Sequence, residues 1–213
     1  MRLSAPVVGI EQGDREVRVR IRTGETVSAR TAVWATPLNT WTDVEFAWGL
    51  NEGKRRAAEQ RHPGRTTKIY MVARNVPANL YGVSGTAGFS LVEDEAASDV
   101  DGARLMFAMA DDTRVDVTDH SALQETLRVF APDAEILATD YHDWNGDEYS
   151  QGTWMIFRPG QMTSLGPALH APEGRVFFAG SDVTPRWSGN MEGAFETGMW
   201  AARGAIRMLG SSP

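Results

Sequence analysis

The sequence contains no cysteine, and this absence removes several kinds of chemistry at once. Disulfide cross-links, thiolate metal sites, cysteine nucleophiles and a cofactor bonded to a cysteine sulfur are all excluded. The four histidines, His62, His120, His142 and His170, do not have the spacing of metal ligands, so we expect no metal site.

Long apolar runs and an excess of positive charge are also missing. No uninterrupted apolar stretch approaches the roughly 20 residues that a membrane helix needs. No signal peptide opens the chain, so we expect a cytoplasmic protein with no membrane partner. The formal net charge is −7, from 28 acidic and 21 basic residues, which argues against nucleic acid as a partner.

Several segments have the side-chain alternation of β-strands. Residues 16–22 alternate polar and apolar side chains, residues 23–25 form a turn, and residues 26–30 alternate again, which predicts a hairpin. Residues 31–36 are almost continuously apolar, which predicts a strand that is buried on both faces and ends at Pro37. Further strands are predicted at 67–73, 104–109 and 175–180, and a hairpin with loops is predicted at 84–102.

Three segments have the spacing of helices. Asn51 can cap a helix over residues 52–60, which the sequence His62-Pro63-Gly64 would end. Leucines and a phenylalanine at helical spacing predict a second helix over 121–130. The last helix is predicted from Met191 to Leu209, and its many small residues allow close approach to another backbone or a flat ligand. These elements predict an α+β arrangement with a mixed sheet and helices.

The segment after the last predicted strand carries the most specific motif. It begins with Phe178-Ala179-Gly180-Ser181-Asp182 and continues with Trp187-Ser188-Gly189-Asn190-Met191-Glu192-Gly193-Ala194. A strand, a glycine loop and a helix N-terminus present unpaired N–H groups and partial positive charge to an electron-rich ligand. The motif closely resembles the C-terminal flavin-binding signature of the flavin-dependent amine oxidases, the monoamine oxidase-like family.

Three further segments resemble that family in the same order. Pro6-Val7-Val8, followed by residues 33–37, resembles the stretch that passes the adenine of FAD and re-enters the nucleotide domain. Thr67-Lys68-Ile69-Tyr70 resembles the strand with the active-site lysine, and residues 144–160 resemble the segment that lines the flavin ring and the substrate cavity. The resemblance therefore covers nearly the whole chain, and it corresponds to the C-terminal half of such an enzyme. It implies an α+β arrangement within an α/β parent fold, namely part of the FAD-binding domain and a mixed-sheet substrate-binding domain.

The resemblance implies catalytic roles for three residues. Lys68 would bond through a water molecule to the flavin N5 atom; the alternative is a lysine that faces solvent on an edge strand. Trp154 would form one wall of an aromatic cage that aligns the amine. Asn190 replaces the second cage aromatic, which opens the cavity and favours a polar, secondary or cyclic amine, as in the nicotine-oxidising branches.

The resemblance also implies contacts with FAD. Trp144 would pack beside the isoalloxazine ring, the Met191 N–H would donate to a pyrimidine oxygen, and Val7 would lie where the chain passes the adenine. A glycine loop would approach the ribityl-pyrophosphate portion, because a bare backbone can come closest there. The residues of this loop that would bind the cofactor are Gly180, Ser181 and Asp182.

Two features of the family are absent. Thr153 stands where several relatives carry a cysteine bonded to the flavin, so FAD should be bound non-covalently. The family also has a Gly-x-Gly-x-x-Gly turn that holds the FAD pyrophosphate, whereas Gly82, Gly85 and Gly88 here have the wrong spacing. We therefore expect the isolated chain to bind FAD weakly or not at all and to be inactive. The possible partners are an N-terminal-half chain or a second copy.

The resulting hypothesis is FAD-dependent oxidation of a small-molecule amine. A hydride would pass from the carbon next to a neutral amine to flavin N5, and water would hydrolyse the imine. Residues 1–41 are predicted to be an FAD-domain segment, 42–142 a substrate-binding domain, and 143–213 the flavin-lining segment with the last strand, loop and helix. Two alternatives stay open: a non-catalytic binding subunit that needs another chain, and an FAD oxidase of a non-amine substrate such as a carotenoid or protoporphyrinogen.

Overall fold

The computed structural model describes residues 1–100, 102–184 and 186–210. The chain forms two compact units. The first, which we call the discontinuous unit, combines Met1–Gly64 with the chain from Asp147 onward; the second, the continuous unit, is Arg65–Gly146. The predicted segments 84–102 and 143–213 extend over residues 101, 185 and 211–213, which lie outside the described ranges.

The chain contains eleven strands and four α-helices among the described residues. In chain order they are β1 (Val7–Gln12), β2 (Val17–Ile21), β3 (Thr26–Ala29), β4 (Ala32–Trp34), β5 (Glu45–Phe46), α1 (Glu52–Gln60), β6 (Thr67–Arg74), β7 (Tyr81–Val83), β8 (Phe89–Ala97), β9 (Ala103–Ala110), α2 (His120–Arg128), β10 (Glu135–Tyr141), α3 (Gln161–Leu169), β11 (Val176–Phe178) and α4 (Met191–Gly210).

The discontinuous unit contains two small sheets. One has the strand order β3-β2-β1-β5, and the predicted hairpin is confirmed as β2 and β3. The other pairs β4 with β11 in parallel. Strand β2 buries Val17 and Ile21 because alternate side chains share one face. The core of this unit contains large apolar side chains, including Ile10, Trp34, Leu38, Trp41, Leu165 and Phe178.

The prediction that residues 31–36 are buried on both faces is wrong. Trp34 is buried, but Val33 is 48% exposed. Helix α4 packs mainly over β11, where Gly204 lies against the ring of Phe177, and it leaves the neighbouring strand β4 less covered. Glycine allows this approach, because a Cβ atom at residue 204 would overlap the phenylalanine ring.

The continuous unit is an antiparallel sheet with the strand order β10-β6-β9-β8-β7 and helix α2 on one face. Ile69, Met71 and Ala73 alternate along β6 into the core, where they join Leu123 and Leu127 of α2. The helix begins after Asp119, whose side chain accepts hydrogen bonds from the first-turn N–H groups.

Several elements differ from the predictions. The segment predicted as a hairpin with loops contains β8, a strand of nine residues, because Phe89 and Val92 enter the core and the buried Asp94 side chain is paired with Arg104. Strand β10 and helix α3 were not predicted, and Pro167 lies within α3. Among the described residues, no helix is both long and apolar enough to span a membrane.

Candidate functional site

The indole of Trp154 lies against the loop that precedes α4. A Cβ atom added at Gly189 would be 3.3 Å from the Trp154 Cδ1 atom and 2.7 Å from the Met155 carbonyl oxygen. The φ angle of Gly189 is 73°, which also favours glycine. The loop can therefore touch Trp154 because residue 189 has no side chain. Trp154 and Asn190, the two predicted cage positions, are thereby brought close together in the discontinuous unit.

The glycine loop after β11 is anchored from two sides. The Gly180 N–H donates to the buried Thr197 hydroxyl at 3.0 Å, and the Gly189 N–H donates to the Ser181 carbonyl at 3.1 Å. A Cβ atom at Gly180 would meet nothing within 4 Å, and its φ is 129°. The backbone at Gly180 therefore faces open space in a conformation that side chains rarely adopt.

Asp182 contributes to the structure of the protein itself. Its Oδ2 atom accepts from the Leu38 N–H at 2.9 Å, and its Oδ1 atom accepts from the Ser181 hydroxyl at 3.1 Å. The carboxylate therefore ties the glycine loop to the 3₁₀ turn that follows Pro37. A role for Asp182 at the cofactor would act through the position of this loop.

Helix α4 begins at Met191, the residue predicted from the sequence. The Gly193 and Ala194 N–H groups donate to the Asn190 carbonyl at 3.1 and 3.3 Å, and the helix N-terminus carries partial positive charge. The Asn190 amide donates to the Ser188 carbonyl at 3.0 Å, so the side chain is held within the loop. Beside this turn lies a groove of about 380 Å³, whose lining residues are Trp187, Met191, Glu192, Phe195, Glu196 and Met199.

A buried polar network supports the Trp154 segment from the other side. The Asn39 amide donates to the Gln151 carbonyl at 2.9 Å, and its Oδ1 atom accepts from the His62 N–H at 2.8 Å. The Thr153 N–H donates to the Gly64 carbonyl at 2.9 Å. A Cβ atom at Gly64 would collide with the Trp154 carbonyl, so this junction requires glycine.

His62 is the buried titratable group of this network, with 3% exposure. Its Nδ1 atom accepts from the Gly64 N–H at 3.2 Å, which places the proton of the neutral ring on Nε2. Burial lowers the pKa of His62, while the nearby Asp182 carboxylate opposes that shift and Arg158 adds to it. The sequence indicated that His62 ends α1 and is not a metal ligand, and its neighbours Pro63 and Gly64 gave no signal that the ring is buried.

Polar atoms without partners collect around the same contact. The Thr153 Oγ1, Ser188 Oγ and His62 Nε2 atoms are buried and have no hydrogen-bond partner among the described residues. Buried polar atoms normally have partners, so these three atoms indicate a missing polar group or water. Together with the open backbone at Gly180, they fit a flat ligand with polar edges, such as a flavin.

Lys68 and Trp144 belong to the continuous unit. Lys68 occupies an exposed position of β6 opposite Met109, and β6 lies between β10 and β9. The alternative explanation, a lysine that faces solvent on an edge strand, is therefore wrong about the edge strand, whereas the exposure that it expected is observed. Trp144 is 46% exposed, and its ring centroid lies 4.2 Å from that of His142.

The remaining predicted site residue, Val7, begins β1 of the discontinuous unit and pairs with Ile21. The structure thus brings Trp154, Asn190 and the start of α4 together. It assigns Lys68 and Trp144 to the other unit. Within the described ranges, no group of three histidine, cysteine, aspartate or glutamate side chains could hold a metal ion.

The sequence is similar to known flavoenzymes. The model of the family described as flavin containing amine oxidoreductase matches residues 1–206. (S)-6-Hydroxynicotine oxidase from Paenarthrobacter nicotinovorans is 34% identical over 197 residues, which are 92% of this chain and 46% of that protein. Pseudooxynicotine dehydrogenase from a Pseudomonas species is 35% identical over 203 residues, 93% of this chain and 40% of that protein. The chain therefore spans less than half the length of these curated relatives.

The fold is also similar to that of solved structures. Wild-type putrescine oxidase bound to putrescine gives a TM-score of 0.78 at 18% identity, over 95% of this chain and 48% of that chain. Cyclohexylamine oxidase from Brevibacterium oxydans gives a TM-score of 0.72 at 23% identity, over 97% of this chain and 49% of that chain. The predicted fold class, with mixed sheets and helices, is confirmed by this similarity.

Proposed function

The chain belongs to the flavin-containing amine oxidoreductase family, and from this premise we propose that it takes part in the FAD-dependent oxidation of an amine. The contact between Trp154 and Gly189 is the observation that carries the proposal. It supports one site with an aromatic surface, the Asn190 amide and the positive end of α4. These are the groups that orient an amine and stabilise charge on a reduced ring.

Non-covalent FAD is the proposed cofactor. The backbone at Gly180 and Ser181 would approach its ribityl-pyrophosphate portion, and the Met191 N–H would donate to the flavin ring. Asp182 would hold this loop in place, while Trp144 and Val7 would contact the isoalloxazine and the adenine. When bound, FAD supplies the hydride acceptor for the carbon next to the amine nitrogen.

The protein side chains would position the substrate. Trp154 would offer its π face to the amine, and Asn190 would supply one hydrogen-bond donor and one acceptor in the cavity. Lys68 would hold a water molecule through its Nζ atom. The substrate class that we propose is a secondary or cyclic amine; the names of the two nicotine-related relatives support this class.

The nucleotide-binding turn would come from a segment that this sequence does not contain, on the same polypeptide or on a partner. The chain lacks the Gly-x-Gly-x-x-Gly sequence and matches about half of each relative's length. An N-terminal-half chain could supply this turn; a second copy, the other possible partner, lacks the turn as well and could only add contacts elsewhere. The functional boundaries 1–41, 42–142 and 143–213 also belong to this proposal, whereas the compact units divide after Gly64 and Gly146. The cytoplasmic location stays a prediction.

The test is a visible absorbance spectrum with and without the proposed partner. The purified chain alone, titrated with FAD, should show no stoichiometrically bound flavin. The chain mixed with an N-terminal half from a relative should hold FAD, and a cyclic secondary amine such as pyrrolidine should bleach the flavin without oxygen. Bound flavin that no amine bleaches would favour the non-catalytic or the non-amine alternative.

A matched pair of variants tests the proposed role of Lys68. Lys68→Met should slow the bleaching or the return of colour with oxygen, because the water-holding ammonium group is lost. Arg74→Met removes another exposed cation from the same strand and should leave both rates unchanged. Equal rates in the two variants would contradict the assignment of Lys68.

A further inference from the structure

Helix α4 has an apolar row of side chains on the face that is open to solvent. The helix packs on its own unit through Gly193, Thr197 and Ala201, which are buried. A helix at a protein surface normally carries polar side chains on its outer face. Here the outer face carries the exposed residues of what we call the α4 seam, namely Met191, Phe195, Met199, Ala202 and Ile206. A contiguous exposed apolar patch of this kind indicates a contact with another protein.

The α4 seam extends along most of the helix. Its members follow one another at intervals of four, four, three and four residues, so they form a single row on the helix surface. Met191, Phe195 and Ile206 are 87%, 73% and 69% exposed. At 1.5 Å per residue the row is about 24 Å long, which fits another helix better than it fits a small molecule.

The two borders of the α4 seam carry different side chains. One border carries the charged residues Glu192, Glu196, Arg203 and Arg207. The other border carries the small residues Ala194, Gly198 and Ala205. Along the charged border, both acidic residues lie in the N-terminal half of the helix and both basic residues lie in the C-terminal half. A helix that runs in the opposite direction and has the same border would therefore place opposite charges next to each other.

The charged border has little compensation within the chain. Glu192 and Arg203 make no hydrogen bond or ion pair with any described residue. Glu196 is 3.5 Å from the exposed Arg186 guanidinium and 3.5 Å from the Thr184 hydroxyl, which are long contacts. These charges can therefore pair with a second molecule without losing a strong partner in their own chain.

We propose that the α4 seam binds the α4 seam of a second copy of this chain, antiparallel, about a two-fold axis between Met199 and Trp200. In a two-fold interface the same surface of both copies must be complementary to itself. The axis places like borders side by side, so the charged border of one copy lies along the charged border of the other. A parallel pair would place the charged border against the small residues and leave the charges without partners.

One position of the axis aligns two kinds of ion pair at once. Glu192 and Arg207 are equally distant from the axis along the helix, on opposite sides of it. Glu196 and Arg203 are also equally distant from it. Each glutamate of one copy therefore lies beside an arginine of the second copy, and the symmetry forms each pair twice. The charge pattern thus selects a second copy as the partner and fixes its direction.

The first test is the mass of the full chain in solution, measured by sedimentation equilibrium without flavin. Between about 1 and about 100 µM, the mass should rise from 23.4 kDa toward twice that value, as expected for a micromolar dissociation constant. Phe195→Ser should raise this constant at least about tenfold, because each dimer loses two buried rings. Tyr81→Ser removes a ring of similar exposure from β7 and should leave the constant unchanged.

A charge reversal tests the direction of the pair. Arg203→Glu should weaken the association about tenfold, because it places like charges beside Glu196 of the second copy. Adding Glu196→Arg to this variant should restore the wild-type constant within about threefold. The two positions are about 10 Å apart along one helix, so the restoration cannot come from pairing within one chain. Arg56→Glu, at an exposed position of α1, is the control and should not change the association.

Three outcomes would overturn the inference: a wild-type chain that stays monomeric at 100 µM, an association that Phe195→Ser leaves unchanged, or a double variant that does not recover. A monomeric chain whose α4 seam binds only the N-terminal half of a relative would also overturn it, because the occupant would then be that half. The measurement needs no flavin and no amine, so its failure leaves the proposed oxidation untouched. A failure of flavin bleaching likewise leaves the association untouched.

Discussion

The two units are stabilised in different ways. The continuous unit is one uninterrupted segment, and its core consists of apolar side chains from the sheet and α2. The discontinuous unit joins two distant segments, and buried polar groups connect them. Lys54 is fully buried; its Nζ atom donates to the carbonyls of Ala168 and Ala171 at 2.9 and 2.6 Å and pairs with Glu173 at 3.0 Å.

This difference explains how the candidate site is positioned. Apolar contacts tolerate changes of shape, whereas hydrogen bonds fix atoms at defined distances. The bonds of Asn39 with Gln151 and of Gly64 with Thr153 cross between the two segments directly beside Trp154. These hydrogen bonds therefore fix the positions of the site residues relative to one another. Variants of the two units test this contrast, from the largest expected effect to the smallest.

The largest effect is expected from Lys54→Met. The variant leaves the partly buried Glu173 without its cation and two carbonyls without their donor, so it should lower the free energy of unfolding by about 3–5 kcal/mol. Arg55→Met, next to it on α1, breaks only exposed ion pairs and should cost less than about 1 kcal/mol. Urea unfolding measures both; equal losses would refute the importance of the buried pair.

A new methionine should be tolerated at a buried position of the continuous unit. Leu127 is fully buried in the core, and Leu127→Met keeps nearly the same volume and polarity. Its cost should be below about 1.5 kcal/mol in the same urea experiment. A loss as large as that of Lys54→Met would show that the two units do not differ in this way.

The smallest effect is a dependence of stability on pH. Burial lowers the pKa of His62 in the folded chain below its ordinary value of about 6.5, so the unfolded chain binds the proton more tightly. This contribution is complete above about pH 7 and is lost as the pH falls through 6.5 toward the folded pKa. The free energy of unfolding of the wild type should therefore be lower at pH 5 than at pH 7, and His62→Gln should reduce this difference.

The control for this measurement is His120→Gln, because His120 is exposed at the start of α2. The paired carboxylates Asp94 and Asp111, whose pKa values are lowered by hydrogen bonds from Arg104 and Thr113, lose stability in a more acidic range, below about pH 4. A decrease between pH 7 and 5 that is identical in wild type and His62→Gln would contradict the assignment.

The local elements could be predicted from the sequence. The alternation in β2, the Asn51 cap of α1 and the start of α4 at Met191 depend on residues close together in the chain. Helix α3 was missed because Pro167 normally interrupts a helix. Strand β8 was missed because its acidic residues are typical of loops.

Features that depend on distant contacts could not be predicted. The exposure of Val33 depends on which strand α4 covers, and the burial of His62 depends on Asn39 and Gln151, which are separated by 112 residues. The individual site residues followed from motifs. The contact between Trp154 and Gly189 could not be predicted, because neither motif contains information about the position of the other in the folded chain.

FAD binding by a Gly189 variant is the most direct test of the central claim, that Trp154 and the start of α4 form the flavin site. Gly189→Ala should displace the loop, because the new Cβ atom would meet the Met155 carbonyl at 2.7 Å, and the chain mixed with the N-terminal half of a relative should no longer retain flavin. Gly13→Ala, with nothing within 4 Å, should retain it. Unchanged FAD affinity in Gly189→Ala would contradict the account.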